Sequence, residues 1–202
     1  MNPTEMKRLP LSILILVLAV LLLAVTFLAL DFWAARSTTT ADSQVSTIRS
    51  GEQYELRPPL VVYVQAPDNL AGSLRRQLVE QLGTQAHFST VDLTETPASI
   101  SDTAALVVVV DRRTYIWTPV YATASLDLRV AFATDGQVDW IELGQIVTDM
   151  QASPAVRLSG ELGIHDRSVG LISHPAYRRH IAGQISDRVV ETVNVALASS
   201  AP

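Results

Sequence analysis

Four histidines, His87, His165, His174 and His180, are the first residues to weigh for chemistry, because imidazole both ligates metals and moves protons near neutral pH. His174 and His180 are six positions apart, which puts them on different faces of a helix, so they are not a helical metal-binding pair. His165-Asp166 reads as a turn whose carboxylate satisfies backbone donors. The carboxylates Asp111, Asp127, Asp139 and Glu142 gather around one strand-rich segment. A pair converging across strands would suit acid–base hydrolysis, whereas carboxylates spread along a solvated strand face would not. The spaced motifs of zinc hydrolases, nucleophile elbows, phosphate loops and dinucleotide-binding turns do not occur. Cysteine is absent, which excludes disulfides, zinc–thiolate and iron–sulfur sites, c-type haem attachment and thiol catalysis. No catalytic set, cofactor or metal site is therefore expected.

The residues that stand out are basic and aromatic. Arg112, Arg113, Tyr115, Trp117 and Tyr121 bracket Pro119 between two strand-like runs, and Trp140 follows a turn signal. Arginine beside aromatic side chains anchors many protein interfaces, while strand aromatics also pack beneath a covering helix. Both placements stay open, and these six residues are taken as candidate partner contacts. Arg112-Arg113 and Arg178-Arg179 also suit an anion or lipid headgroup, or local pairing with Asp and Glu. A net charge of −5 over 202 residues argues against a nucleic-acid partner.

The elements that must position these residues follow from periodicity. With 48% hydrophobic and 17% charged residues the chain has a core to bury. LVVYVQA over 60–66 reads as a buried strand ended by Pro67, followed by a helix capped at Asp68 or Asn69. Leu70, Leu74, Leu78 and Leu82 give that helix an apolar stripe, and Gly83 ends it. Strands are expected over 87–93, over 104–111 with a continuation through Tyr115-Ile116-Trp117, and over 120–133, where alternation predicts one wet face. Asp135-Gly136 signals a hairpin with 138–147 as its return strand, and 155–166 is a further strand. Ile181, Ile185, Val189, Val193 and Leu197 mark a closing helix that opens at Ser173 or His174. The fold class is α+β: a two-layer domain over 59–198 with a mixed, mainly antiparallel sheet covered by two helices.

Ahead of it, Leu11 to Leu30 carries no charge and matches the hydrocarbon thickness of a bilayer at 1.5 Å per residue. The expectation is a cytoplasmic N-terminus over 1–8, a single-pass signal anchor over 9–33 with Phe32 and Trp33 at the far interface, and a flexible Ser/Thr-rich tether over 34–58. Lys7 and Arg8 set the N-terminus inside, so the expected location is the inner membrane with a periplasmic or extracellular domain, the lipid bilayer being one partner and membrane-complex subunits the other.

Three stretches, LVVYVQAPDNLAGSLRRQLVEQL at the opening, TDGQVDW over 134–140 and PAYRRHIAGQISDRVVETV over 175–193, resemble the small envelope domain typified by the TolB amino-terminal domain and the lipoprotein activators of penicillin-binding proteins. The resemblance covers most of 60–197 and is topological. It implies a non-catalytic accessory subunit of a bacterial membrane or envelope complex that docks partner subunits. A tethered carrier of lipid or another small ligand is the alternative, and a carboxylate-dependent hydrolase the third reading.

Overall fold

The structure is a computed structural model that describes residues 11–29, 31–50, 58–94, 103–136 and 155–198. In chain order the elements are α1 (Leu11–Ala29), β1 (Trp33–Ser50), β2 (Leu60–Gln65), α2 (Asp68–Gly83), β3 (Val91–Thr94), β4 (Ala104–Trp117), β5 (Tyr121–Ala133), β6 (Ala155–Ile172) and α3 (His174–Ala198). The six strands form one sheet in the order β1-β6-β5-β4-β2-β3. Pairing is parallel where β2 joins β3 and β4, and antiparallel across β4, β5, β6 and β1.

Period-two burial explains the sheet. Leu60, Val62 and Val64 on β2, and Leu126, Leu128 and Val130 on β5 alternating with Asp127 and Arg129, point to the helix-covered face. Period 3.6 explains the helices: Leu70, Leu74, Leu78 and Leu82 on α2, and Tyr177, Ile181, Ile185, Val189 and Val193 on α3, are buried against that face. Gln81 ties the two helices together, donating to Asp187 Oδ1 (2.6 Å) and accepting from Ser186 Oγ (2.9 Å). Among the described residues the open face carries one small buried cluster, Val107, Val109 and Ala131, with Tyr63 beside it. The α+β architecture with a mixed sheet thus stands.

The expected anchor over 9–33 does not. Among the described residues no helix is long and apolar enough to cross a membrane, which overturns the single-pass anchor and the inner-membrane location built on it. α1 runs for 19 residues, about 28 Å at 1.5 Å per residue. The aromatic collar assigned to the far interface belongs to the domain instead. Phe32 N–H donates to Ser173 Oγ (3.0 Å), and the Trp33 ring lies parallel to Tyr177 with centroids 6.4 Å apart.

Residues 34–50 of the segment read as a tether are structured, and 51–57 lie outside the described residues. Residues 33–50 form β1, which pairs residue for residue along the whole of β6. Its polar Ser/Thr content reads as a linker, yet Trp33, Ala35 and Val45 at odd positions pack on the core. Smaller corrections follow the same logic. α2 starts without a side-chain cap, the Pro67 carbonyl accepting from the Leu70 and Ala71 N–H groups. β3 is confined to Val91–Thr94, because Phe88 turns into the core. β4 continues through Arg112 with a register shift between Val110 and Arg112. β5 is flanked by β4 and β6, and the expected return strand over 138–147 lies outside the described residues.

Candidate functional site

The densest constellation of polar side chains lies where β1, β6 and α3 meet. Thr39 of β1 sits opposite Asp166 of β6, and Ser37 opposite Ser168. All four therefore face the first turns of α3. Asp166 has no exposed side-chain surface. Its Oδ1 accepts hydrogen bonds from Ser37 Oγ (2.6 Å) and Thr39 Oγ1 (2.7 Å) and lies 3.0 Å from His180 Nε2. Its Oδ2 accepts from Ser168 Oγ (2.9 Å) and Tyr177 OH (3.0 Å). Burial alone pushes this carboxyl pKa up. The hydrogen bonds from His180, Ser37, Thr39 and Ser168 outweigh burial and hold it well below the usual carboxylate range. Burial, then the Asp166 charge and hydrogen bond, push the Tyr177 phenol well above its ordinary value.

Ser37, His180 and Asp166 resemble a hydrolytic triad in composition, but their geometry is different. A triad imidazole bridges its partners, with Nε2 on the serine and Nδ1–H on the aspartate. Here one atom, His180 Nε2, faces both Ser37 Oγ (3.0 Å) and Asp166 Oδ1 (3.0 Å), and the Ser37 hydroxyl proton is directed at the carboxylate. The serine, the imidazole nitrogen and the carboxylate oxygen thus meet at one point instead of forming a relay, and the arrangement clasps two strands and a helix around one buried charge.

A row of rings extends the clasp across the sheet. Trp33 and His180 are 4.6 Å apart, Tyr115 and Tyr177 5.4 Å, Tyr115 and His174 5.7 Å, and Trp117 and His174 5.2 Å. Trp117 Nε1–H donates to the Ile172 carbonyl (3.2 Å). Burial pushes the Tyr115 phenol up to about 12 against the opposing charges of Arg113 and Arg178. Burial, then Arg178 and Arg113, lower the His174 pKa.

The sequence-derived candidates divide accordingly. Tyr115 and Trp117 pack beneath the start of α3, and the Arg113 guanidinium lies 4.8 Å from the Tyr115 ring centre. Arg112 is exposed and 3.6 Å from Asp127. Tyr121 sits on the open face, 5.8 Å from the Arg167 guanidinium. Trp140, like Asp139 and Glu142, lies outside the described residues. Asp111 pairs with Arg129, so Asp111 and Asp127 are each held by an arginine. Among the described residues no three His, Asp or Glu side chains converge as metal ligands. His165 faces Ser125 on the open side at 2.9 Å. The reading of Asp166 as a turn residue is corrected, since it lies within β6 and serves side chains.

No family model matches the chain, and no curated protein matches it. Solved structures do. The PelC dodecamer from Paraburkholderia phytofirmans is 10% identical with a TM-score of 0.42, covering 74% of this chain and 95% of that one. A neuraminyllactose-binding hemagglutinin homologue from Helicobacter pylori is 12% identical with a TM-score of 0.35, covering 72% and 85%. Likenesses at these scores carry no argument about this chain's role.

Proposed function

We propose that the chain is a non-catalytic accessory subunit whose α+β domain docks a protein partner along the outer edge of β1. The observation that carries this reading is the edge itself. β1 is 18 residues long and, among the described residues, stands at the end of the sheet. Natural edge strands are blunted by short length, charged side chains, proline or a bulge. β1 has no proline, its register with β6 runs unbroken, and its charged residues are limited to Arg36, Asp42 and Arg49. The Asp166 clasp fixes the strand on its inner side, so its outer backbone groups are ordered before a partner arrives, which lowers the ordering cost of strand addition.

The test is recovery of the tagged full chain from its native cells with quantification of what accompanies it. A stoichiometric partner, reduced severalfold by Thr38→Lys/Thr40→Lys on the edge, is the expected result. A partner set unchanged by that variant overturns the reading. One observation favours the small-ligand alternative: a groove of about 260 Å³ between β1 and α3, lined in part by Val45, Leu158, Leu162 and Val195. Ligand pockets start near ~300 Å³, so the groove ranks second. Mass spectrometry of a solvent extract of the purified protein checks it, a bound small molecule at one per chain being required.

A further inference from the structure

The docking reading leaves the occupant of the β1 edge open, and the charge pattern of β1 narrows it. Residues at even positions, Arg36, Thr38, Thr40 and Asp42, are exposed on the open face. Residues at odd positions, Trp33, Ser37, Thr39 and Val45, face the helix layer. Two copies of β1 joined antiparallel about a two-fold axis normal to the sheet keep their faces aligned, so residues that meet must share parity and the axis must pass through a residue. We propose that the β1 edge binds the β1 edge of a second copy of this chain, antiparallel, with the two-fold axis at Thr39.

That register sets Arg36 opposite Asp42 of the second copy, and the symmetry repeats the pair. Neither side chain has an ion-pair partner among the described residues, and the Asp42 carboxylate rests over Gly163, where there is no side chain to displace it. Thr38 meets Thr40 of the second copy twice, a favourable cross-strand pair. On the helix-facing side Trp33 meets Val45 of the second copy, an aromatic ring against a β-branched side chain, both already packed at the margin of the core. An axis at Arg36 or at Asp42 would instead place like charges face to face, which is destabilising. The α3 helices leave room. α3 packs chiefly on β6, so the two α3 helices would stand about three strand spacings apart, roughly 14 Å, wider than the ~10–12 Å diameter of a helix with its side chains. The product is one continuous sheet of twelve strands with no free β1 edge at its centre.

This inference rests on the docking reading, and the experiment separates their failures. The full chain is examined by light scattering across a concentration series. The wild type is expected at twice the chain mass of 21.9 kDa. Arg36→Glu alone and Asp42→Arg alone should each weaken association about tenfold, by setting like charges opposite one another. The double variant Arg36→Glu/Asp42→Arg should restore it. A monomeric wild type, a dimer indifferent to the single reversals, or a double variant that stays dissociated each overturns the Thr39-centred pairing. If it is overturned and the Thr38→Lys/Thr40→Lys edge still loses its cellular partner, the docking reading stands with a different occupant. If the partner set is unchanged as well, both fall.

Discussion

The two helices meet the sheet in different ways. α2 lies on β2 with a row of leucines, Leu70, Leu74, Leu78 and Leu82, each fully or almost fully buried. α3 covers β1 and β6 with an aliphatic row as well, but its first turns close over the Asp166 carboxylate, which has donors on three elements. Apolar burial is non-directional and rewards any arrangement that removes surface from water. A buried carboxylate rewards only the arrangement that delivers its donors. The difference matters because β1 reads Arg-Ser-Thr-Thr-Thr-Ala-Asp-Ser through its middle, with little apolar alternation to set a register. A slip of one residue would bring Thr38 and Thr40 to the inner face. Their hydroxyls would serve Asp166 there as well, but Arg36 and Asp42 would turn inward with them, so the register of β1 rests on Trp33, Ala35 and Val45 together with the bonds of Ser37 and Thr39 to Asp166.

The comparison is broken most severely at its centre. Asp166→Ala should destabilise the fold by about 3–5 kcal/mol, the range for removing one partner of a buried charged network, read as a fall in the urea midpoint. Amide exchange should accelerate in β1 before it does in β2. Leu78→Ala should cost about 2–5 kcal/mol through the cavity it leaves, with β1 protection retained until global unfolding. Equal loss of β1 protection in both variants would remove the distinction.

Acid titration sharpens it further. The Asp166 pKa is depressed in the folded state, so its contribution is complete above the unfolded carboxyl value of about 3.9 and is lost as pH falls below it. Asp166→Asn should therefore be less stable than wild type at pH 7, and the gap should narrow between about pH 4 and pH 2. A constant gap would mean the carboxylate charge contributes nothing. Tyr177→Phe removes one donor and should cost about 1–2 kcal/mol, measured by thermal unfolding at pH 7. Arg112→Ala, at the exposed pair with Asp127, should change stability by less than about 0.5 kcal/mol in the same measurement.

Much of the helix-covered half was legible because its periods are clean. The leucine spacing of α2, the alternation of β5 and the Ile181 to Leu197 stripe of α3 each follow from one local rule. β1 was not legible, because serine and threonine serve a linker and a strand equally well, and the choice is made by β6 more than a hundred residues later. Trp33 after an apolar run reads as a membrane-interface residue until Tyr177 and His180 supply its packing. The clasp escaped for the same reason: Ser37 and Asp166 are 129 positions apart, and His180 a further 14. The aromatic candidates were visible as a group, but burial under α3, which separates Tyr115 and Trp117 from exposed Arg112, is a tertiary property.

The placement of the clasp also has a mechanical meaning. Trp33 and Ile172 are paired at one end of the β1–β6 ladder, and α1 and α3 both connect to that end. Tension applied between α1 and α3 would open the ladder pair by pair from Trp33, the geometry in which β-structure yields at low force because bonds break singly. Within the first seven pairs the opening would reach Ser37 and Thr39, where several hydrogen bonds to Asp166 and its neighbours must fail together. The clasp therefore acts as a rip-stop, and a pull on the N-terminal helix reaches the rest of β1 only after that knot has given way.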